Sequence, residues 1–289
     1  YMPTKQNPFS LFDFLGYFIP GAFLLYTLLF LFAYIQPSLL HSDAIVKYLS
    51  FEKPDIYIPF VILSYIVGHL LSFISSITIE QYSIWQFGYP SKFLLGFPSR
   101  GYFSVEEPKC FHHFIRFIIA LIILPITMHD LVLGKLFRMR EFYTKSLDTL
   151  LADVIKRKIK AIAISCAKVS DPQVYDMAIE HDFFRYVYHY ALENAPNHQD
   201  KMQNYVALYG FLRTIALIFV CFFWIIFLHV SKLMPVFNKD VSMGGGIIVL
   251  FIISVLTYTF FMGFVKFYRR YSLEALMAAS VVYQETQSE

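Results

Sequence analysis

Residues 214–231 read TIALIFVCFFWIIFLHVS, a run of 18 positions without a Lys, Arg, Asp or Glu. A helix that crosses the hydrocarbon core of a bilayer needs about 20 predominantly apolar residues. Three further runs have the same character, at residues 14–35, 56–79 and 244–265. None of the four alternates apolar and polar positions as the strands of a membrane barrel do. The sequence therefore predicts an all-α polytopic membrane protein with four spans, arranged as two transmembrane hairpins.

The overall composition points to the same class. Of the 289 residues, 57% are hydrophobic and 19% are aromatic, whereas only 16% are charged. Soluble domains carry about a quarter of charged residues, and the mean hydropathy here is +0.53. This composition excludes an intrinsically disordered chain, which would be poor in aromatics and rich in charge. It also argues against an ordinary soluble enzyme.

The distribution of basic residues predicts the orientation. Of the 24 Lys and Arg, 16 lie between Gln81 and Arg213, whereas the links 37–55 and 232–243 hold two Lys each. Lys and Arg near span ends favour the cytoplasmic side, so we expect both termini and the region between the hairpins in the cytosol. The predicted divisions are a first hairpin, a cytosolic insertion, a second hairpin and a cytosolic tail, at 1–80, 81–209, 210–268 and 269–289.

A fifth apolar segment, residues 114–134, is interrupted by polar side chains. It reads FIRFIIALIILPITMHDLVLG, and its charge-free part, residues 117–128, has 12 positions. That length suits a re-entrant or interfacial helix better than a span, because Arg116, His129 and Asp130 are costly inside hydrocarbon. We expect a non-spanning segment, with a fifth span as the alternative.

The rest of the insertion has the patterns of helices. Residues 141–168 predict a helix, because apolar side chains recur with a period of 3.6, at Leu147, Leu150, Leu151, Val154, Ile155, Ile159 and Ile162. Residues 173–193 predict a second, aromatic-rich helix. A final helix is expected to begin near Asp200 and to run into the third span through Arg213.

The second span carries a stripe of small and hydroxyl-bearing residues on one helical face, since their spacing is i, i+4, i+8 and i+11 or i+12. The stripe consists of Ser64, Gly68, Ser72, Ser75 and Ser76, with His69 beside it. One interpretation is a helix–helix seam, because small residues allow close packing in membranes. The other is a pore-lining face, whose hydroxyls would solvate ions. The ionisable His69 is a functional candidate, or a neutral ring bonded to a nearby carbonyl.

The strongest local charge lies between residues 135 and 160, where eight basic residues face three acidic ones. Residues 171–200 reverse this balance, with six acids and one Arg. The basic patch predicts contact either with anionic lipid or with an anionic cytosolic ligand, a nucleotide or a nucleic acid. The candidate ligand-binding residues are Arg138, Arg140, Lys145, Lys156, Arg157, Lys158 and Lys160.

Catalytic and metal-binding patterns are not found in the sequence. Cys110, His112 and His113 are close together, but their spacing matches no structural zinc site. The motifs GxSxG, HExxH, GxxxxGK[ST] and GxGxxG are all missing from the chain,. We therefore predict no enzymatic activity, no metal and no cofactor.

Three stretches of the sequence support a resemblance to a known class of membrane proteins. They are NPFSLFDFLGYFIPGAF at 7–23, KRKIK at 156–160 and DKMQNYVALYGFLRTIALIF at 200–219. With this layout, the chain resembles the multi-pass membrane effectors of bacterial antiviral systems, both cyclic-nucleotide-linked and nucleotidyltransferase-linked, including the Hailong system's membrane effector. The resemblance implies a bacterial inner membrane, a cytosolic module that reads a nucleotide signal, and spans that perturb the membrane.

The predicted function is therefore a homo-oligomeric pore or membrane-disrupting effector, with a tetramer favoured. It would be gated by an anionic cytosolic ligand, a nucleotide or single-stranded nucleic acid, at the basic patch. One alternative is a membrane scaffold that recruits a neighbour-encoded soluble partner through the aromatic face at 183–190. The other is a small-solute transporter, for which the sequence offers only His69 and hydroxyl groups at membrane depth.

Overall fold

The structure is a computed structural model that describes residues 13–35, 54–97, 99, 101–104, 110–165, 183–233 and 242–283. Every regular element in these ranges is a helix, so the predicted all-α fold is confirmed. The first hairpin contains α1 (Ile19–Ile35), which continues a π-helical turn at Phe14–Phe18, and α2 (Pro54–Ser75). A second π-helical turn, Ser76–Glu80, joins α2 directly to α3 (Gln81–Phe87).

Shorter helices and a second long hairpin follow. The remaining helices of the described ranges are α4 (Pro90–Leu94), α5 (Cys110–Ile122), α6 (Leu124–His129), α7 (Glu141–Thr144), α8 (Thr149–Ser165), α9 (Phe183–Asn194), α10 (Pro196–Val230) and α11 (Met243–Val282). A π-helical stretch, Asp130–Leu136, continues α6.

Four stretches of helix are long and apolar enough to cross a membrane. They are Phe14–Leu31, Tyr57–Leu94, Pro196–Val230 and Met243–Val282. Each contains or overlaps one of the four apolar runs predicted from the sequence, so the polytopic membrane class is confirmed.

The second hairpin forms the centre of the fold. Its helices α10 and α11 pack through aromatic rings, with Phe219 stacked on Phe260 at 5.3 Å and Tyr209 on Tyr268 at 5.0 Å between ring centroids. The predicted helix through Arg213 into the third span is confirmed, since α10 is continuous from end to end. The helix α11 continues past its apolar run to Val282, a further length of about 25 Å at 1.5 Å per residue.

The fifth apolar segment is a broken helix. Its two parts, Phe111–Ile122 and Leu124–Leu136, meet at an angle of 89°. The break lies at Ile123, whose backbone leaves the helical region (φ −94°, ψ 33°). Pro125 follows in the first turn of α6, where a missing amide hydrogen costs little. The segment is therefore not one straight span.

The helix predicted over 141–168 is interrupted between α7 and α8, so this prediction is wrong in part. Lys145 has an extended backbone (φ −62°, ψ 133°), and the amide of Leu147 donates to the carbonyl oxygen of Leu94 at 3.0 Å. A tertiary hydrogen bond therefore replaces a helical one at this point. Residues 166–168 lie outside the described ranges.

The buried face of α8 agrees with the predicted pattern except at its beginning. Leu150 was predicted to be buried but is 77% exposed, because it lies in the first turn after the interruption. The fully buried positions of the pattern are Ile155, Ile159 and Ile162. Of the predicted helix 173–193, residues 183–193 are helical within α9, and residues 173–182 lie outside the described ranges.

Candidate functional site

The first half of the small-residue stripe packs against α1 and the turn before it. A Cβ atom on Gly68 would lie 1.9 Å from the carbonyl oxygen of Tyr17, and one on Gly21 would lie 1.8 Å from the carbonyl oxygen of Ser64. Only glycine fits such backbone contacts. Ser64 is fully buried, and its hydroxyl donates to the carbonyl oxygen of Phe60 at 2.7 Å. In the single chain, this half of the stripe is a helix–helix seam.

Ser76 lies outside this seam, whereas His69 lies at its edge, against Tyr17. The Ser76 hydroxyl donates to the carbonyl oxygen of Phe73 on its own helix at 2.7 Å. The His69 ring stacks on Tyr17 at 3.8 Å and meets Tyr65 edge-on at 4.5 Å between ring centroids. Within the described residues, His69 makes this aromatic contact instead of the predicted bond to a carbonyl.

The second half of the stripe binds a buried arginine from the third span. Arg213 is 7% exposed. Its Nε donates to the Ser75 hydroxyl at 3.0 Å, and its Nη2 donates to the hydroxyl and the carbonyl oxygen of Ser72, both at 3.2 Å. Its Nη1 forms an ion pair with the carboxylate of Glu80. The hydroxyl groups that suggested a pore thus satisfy a charge that would be costly to bury alone.

A second buried ion pair involves the segment after α6. Asp130 is fully buried. Arg140 donates to its two carboxylate oxygens from Nε at 2.9 Å and from Nη2 at 2.6 Å, and the Tyr82 hydroxyl donates at 2.7 Å. Arg140 was predicted to bind an external anion, but its guanidinium already holds an internal one. The bidentate pair closes the turn between Asp130 and Arg140, and the Tyr82 hydroxyl fixes this turn against α3.

A neighbouring polar group connects α6 to α11. His129 Nδ1 lies 3.0 Å from the Ser254 hydroxyl and 3.0 Å from the carbonyl oxygen of Pro125, and its ring stacks on Tyr258 at 5.8 Å between centroids. The Tyr258 hydroxyl is buried and has no hydrogen-bond partner in the described part of the chain. These contacts position α6 along the second half of the last span.

Two other predicted ligand residues precede α8. Arg138 is highly exposed and lies 3.9 Å from the equally exposed Glu141, a geometry that contributes little stability. Lys145 is exposed, and its carbonyl oxygen accepts a hydrogen bond from Arg269 Nη2 at 3.0 Å. Both side chains face the surface.

The remaining four predicted ligand residues lie on α8. Lys156 Nζ lies 3.5 Å from Asp153 and 5.2 Å from the centroid of the Phe97 ring. Arg157 is exposed, and Lys160 is partly buried. Lys156 and Lys160 are separated by four positions and share a face of the helix. They form, with Arg157, a continuous basic surface, which we call the α8 surface.

The fourth residue, Lys158, connects α8 to the end of α11. Its Nζ donates to the carbonyl oxygen of Tyr283 at 3.4 Å and lies 5.5 Å from the centre of that ring. The hydroxyl groups of Tyr283 and Ser165 are 3.0 Å apart, and the Tyr190 ring of α9 lies 6.4 Å from the Tyr283 ring. Both α8 and α9 therefore contact the end of a helix that continues into a span.

The pairing of Glu80 with Arg213 was not predicted from the sequence. A signal was present, because Glu80 follows the apolar run 56–79 directly and Arg213 directly precedes the run 214–231. Opposite charges at the ends of two spans indicate a pair when the spans are antiparallel neighbours. No such signal identified Tyr82, whose role depends on the path of the segment after α6.

A third ion-pair group, also missed, joins the two long helices beyond their apolar runs. Glu274 lies 2.8 Å from His198 Nδ1 and 2.8 Å from Lys201 Nζ. Partial burial raises the pKa of Glu274, but the hydrogen bonds from Lys201 and His198 outweigh it and leave the pKa below its usual value. The charged carboxylate therefore stabilises the contact between α10 and α11.

No protein-family model, curated protein or solved structure matches this chain. The features of the molecule that bear on its function are therefore the buried ion pairs and the α8 surface. The pairs can hold the spans in one arrangement, and the α8 surface groups three basic side chains on one helix.

Proposed function

We propose that this protein is a membrane effector that opens or perturbs the bilayer when an anionic ligand binds the α8 surface. The observation that carries the proposal is the contact of Lys158 and Ser165 with Tyr283. Tyr283 directly follows α11, which runs without a break from the apolar run 244–265. A ligand that moved α8 would therefore act on a spanning helix.

The ligand class follows from the charge of the α8 surface. Lys156, Arg157 and Lys160 carry three positive charges, which Asp153 offsets in part. Cations grouped on one helix attract polyanions, and phosphate groups accept hydrogen bonds from both Lys and Arg. A nucleotide or a short single-stranded nucleic acid fits this chemistry.

The gating step that we propose is release of Arg213 from the stripe. In the single chain, Gly68 packs on Tyr17, and Ser72 and Ser75 bind Arg213. The stripe can line a path for ions only when these partners move away. A homo-oligomer, with a tetramer favoured, would then bring stripes from several chains to one axis.

The cellular setting that we propose is antiviral defence at a bacterial inner membrane, with the termini and the insertion in the cytosol. The support is the architecture: four apolar stretches together with a basic helix attached to the end of the last one. The bias of Lys and Arg toward the region 81–213 supports the cytosolic placement.

A scaffold that recruits a soluble partner is less well supported, because its proposed contact face is used internally. The rings of Phe184 and Tyr188 on α9 pack on the Tyr271 ring, with centroids 5.7 Å and 5.5 Å apart, and the Tyr190 ring packs on the Tyr283 ring. Among the Phe and Tyr side chains of α9, Tyr186 is the exposed one, by 41%.

A transporter is the second candidate, and one observation favours it. Asp130 and His129 are buried beside Ser254 and Tyr258, and ionisable groups at membrane depth often mark a solute or proton path. Solute uptake that is driven by a gradient and needs no ligand would support the transporter over the effector.

The test of the proposed ligand class is native mass spectrometry of the purified full chain with nucleotides and with a short single-stranded DNA. We expect an oligomer that retains an anionic adduct. The triple variant Lys156→Gln, Arg157→Gln, Lys160→Gln should lose the adduct. The matched control is Lys135→Gln, Arg138→Gln, Lys145→Gln, which removes the same charge elsewhere and should keep it. Equal retention by both variants would contradict the proposal.

A further inference from the structure

We propose that residues 110–145 form a re-entrant wedge in a single leaflet, and that Lys135, Arg138 and Lys145 bind anionic phospholipid headgroups where the wedge leaves the membrane. The first observation is length. The two legs, Phe111–Ile122 and Leu124–Leu136, meet at 89°, and each rises at most about 20 Å. Neither leg alone crosses a hydrocarbon core of about 30 Å.

The first end of the wedge is attached near the start of the third span. Arg116 of α5 donates to the carbonyl oxygen of Tyr102, and its guanidinium lies 4.8 Å from the centroid of the Trp85 ring. Trp85 belongs to α3, which begins directly after Glu80, and Glu80 pairs with Arg213 at the start of the run 214–231.

The second end of the wedge is attached near the finish of the fourth span. Arg269 donates to the carbonyl oxygen of Lys145 at 3.0 Å, and Arg269 follows the run 244–265 by four positions. Stacking of Tyr209 on Tyr268 brings the start of the third span next to the end of the fourth. Both ends of the wedge therefore lie on the same side of the spans.

The bend of the wedge lies near the middle of the membrane-spanning helices, far from both of its ends. Trp224 Nε1 donates to the carbonyl oxygen of Ile122 at 2.6 Å, and Trp224 follows Arg213 by eleven positions, or about 16 Å of helix. His129 contacts Ser254, which precedes Lys266 by twelve positions, or about 18 Å of helix. The segment thus reaches about halfway along the spans and returns.

The outer surface of the wedge matches a leaflet. One face of α5 exposes large apolar side chains at helical spacing: Phe111 by 68%, Phe114 by 59%, Phe117 by 59% and Leu121 by 48%. After the bend, exposed apolar residues continue: Leu131, Leu136, Phe137 and Phe142, by 66%, 73%, 64% and 77%. Exposure of so large an apolar surface to water is unfavourable. Contact with the hydrocarbon chains of lipid removes this cost.

Basic side chains alternate with the last of these apolar residues. Lys135, Arg138 and Lys145 are all exposed, and Glu141 is the acid among them. Arg140 is used by Asp130 and is not part of the set. Large apolar side chains with adjacent cations are typical of segments that lie in the headgroup region, and cations there attract anionic lipid.

The path of the wedge is tested by labelling from one side of sealed proteoliposomes with a membrane-impermeant maleimide. The protein would carry Cys110→Ala, Cys166→Ala and Cys221→Ala, together with either Ser104→Cys or Ser146→Cys. Both serines are exposed, and they flank the wedge. We expect both positions to react from the same side. Reaction from opposite sides would show that the segment crosses the membrane and would overturn the proposal.

The lipid contact is tested by native mass spectrometry of the full chain released from nanodiscs of mixed phosphatidylcholine and phosphatidylglycerol. We expect selective retention of phosphatidylglycerol, reduced at least threefold in Lys135→Gln, Arg138→Gln, Lys145→Gln. The matched control, Lys156→Gln, Arg157→Gln, Lys160→Gln, should retain it like the native chain. Equal retention in both variants, or loss of a soluble nucleotide instead of the lipid in the first, would overturn the lipid assignment. Neither result depends on whether the protein is a gated effector.

Discussion

The arginines of this chain occupy two contrasting environments. Arg213 is buried between spans and has its guanidinium bound by Glu80, Ser72 and Ser75, whereas Arg157 on the α8 surface is exposed. A buried cation without its carboxylate is strongly destabilising, whereas an exposed cation contributes little to the fold. Counts of basic residues therefore overstate the charge available to a ligand, since Arg140 and Arg213 are both bound internally.

The largest loss of stability is expected when the carboxylate partner of the buried Arg213 is removed. Glu80→Gln should lower the free energy of unfolding by about 3 to 5 kcal/mol, because it leaves a buried charge unpaired. Thermal unfolding of the detergent-purified protein measures this effect.

Two controls separate the buried charge from the loss of any carboxylate. Glu141→Gln removes an exposed partner of Arg138 and should change the stability by less than about 0.5 kcal/mol. The double variant Glu80→Met, Arg213→Met should recover most of the loss, because a buried apolar pair is often as stable as an ion pair. A double variant as unstable as Glu80→Gln would contradict the role given to this pair.

The second prediction concerns Asp130→Asn, which weakens the hold on Arg140. We expect a loss of about 2 to 3 kcal/mol, smaller than that of Glu80→Gln, because the Arg140 side chain is 23% exposed and can turn toward solvent. Urea or thermal unfolding in detergent gives the difference. If Asp130→Asn cost more than Glu80→Gln, the ranking by burial would be wrong.

The third prediction is a pH dependence of stability from Glu274, a carboxylate in an intermediate environment. Its pKa is lower in the folded chain than its usual value, because the hydrogen bonds from Lys201 and His198 outweigh the effect of burial. The folded state thus binds fewer protons than the unfolded state, and the stabilisation is complete above the usual glutamate pKa of about 4.3. It is lost as the pH falls below that value.

Unfolding temperatures measured between pH 6 and pH 3 test this dependence. The Glu274→Gln variant should lose less stability over this interval than the native protein. Parallel curves for the two proteins would mean that Glu274 has no share in the acid sensitivity.

Only a small effect on stability is expected from the cations of the α8 surface. The free energy of unfolding of the triple variant Lys156→Gln, Arg157→Gln, Lys160→Gln should lie within about 1.5 kcal/mol of the native value, because surface substitutions each change stability by about 0.5 kcal/mol or less. Differential scanning calorimetry tests this. A loss as large as that of Glu80→Gln would show that these cations are structural and would remove the contrast.

The spans could be predicted from the sequence because length and hydrophobicity alone determine them. The continuous helix α10 through Arg213 could also be predicted, because no proline interrupts the chain between Pro196 and Val230. The interruption before α8 was not predictable, since the carbonyl oxygen of Leu94 accepts the amide of Leu147 from more than 50 positions away.

The candidate site was predictable only in part. The stripe on α2 is visible in the sequence. That its first half packs against α1 and its second half binds Arg213 depends on tertiary packing and could not be predicted. Arg140 was assigned to a ligand because its partner Asp130, ten positions earlier, is brought near it only by the turn after Leu136, where Arg138 has a φ of 55°.

The central claim is that a ligand on the α8 surface controls the membrane-spanning helices. The most direct measurement is ion leak from liposomes that contain the purified protein, during titration with nucleotides and short single-stranded DNA. We predict a leak that rises with one of these ligands in the native protein and is lost in Lys156→Gln, Arg157→Gln, Lys160→Gln. The leak should remain in Lys135→Gln, Arg138→Gln, Lys145→Gln. No leak with any ligand, or an equal leak in both variants, would contradict the account.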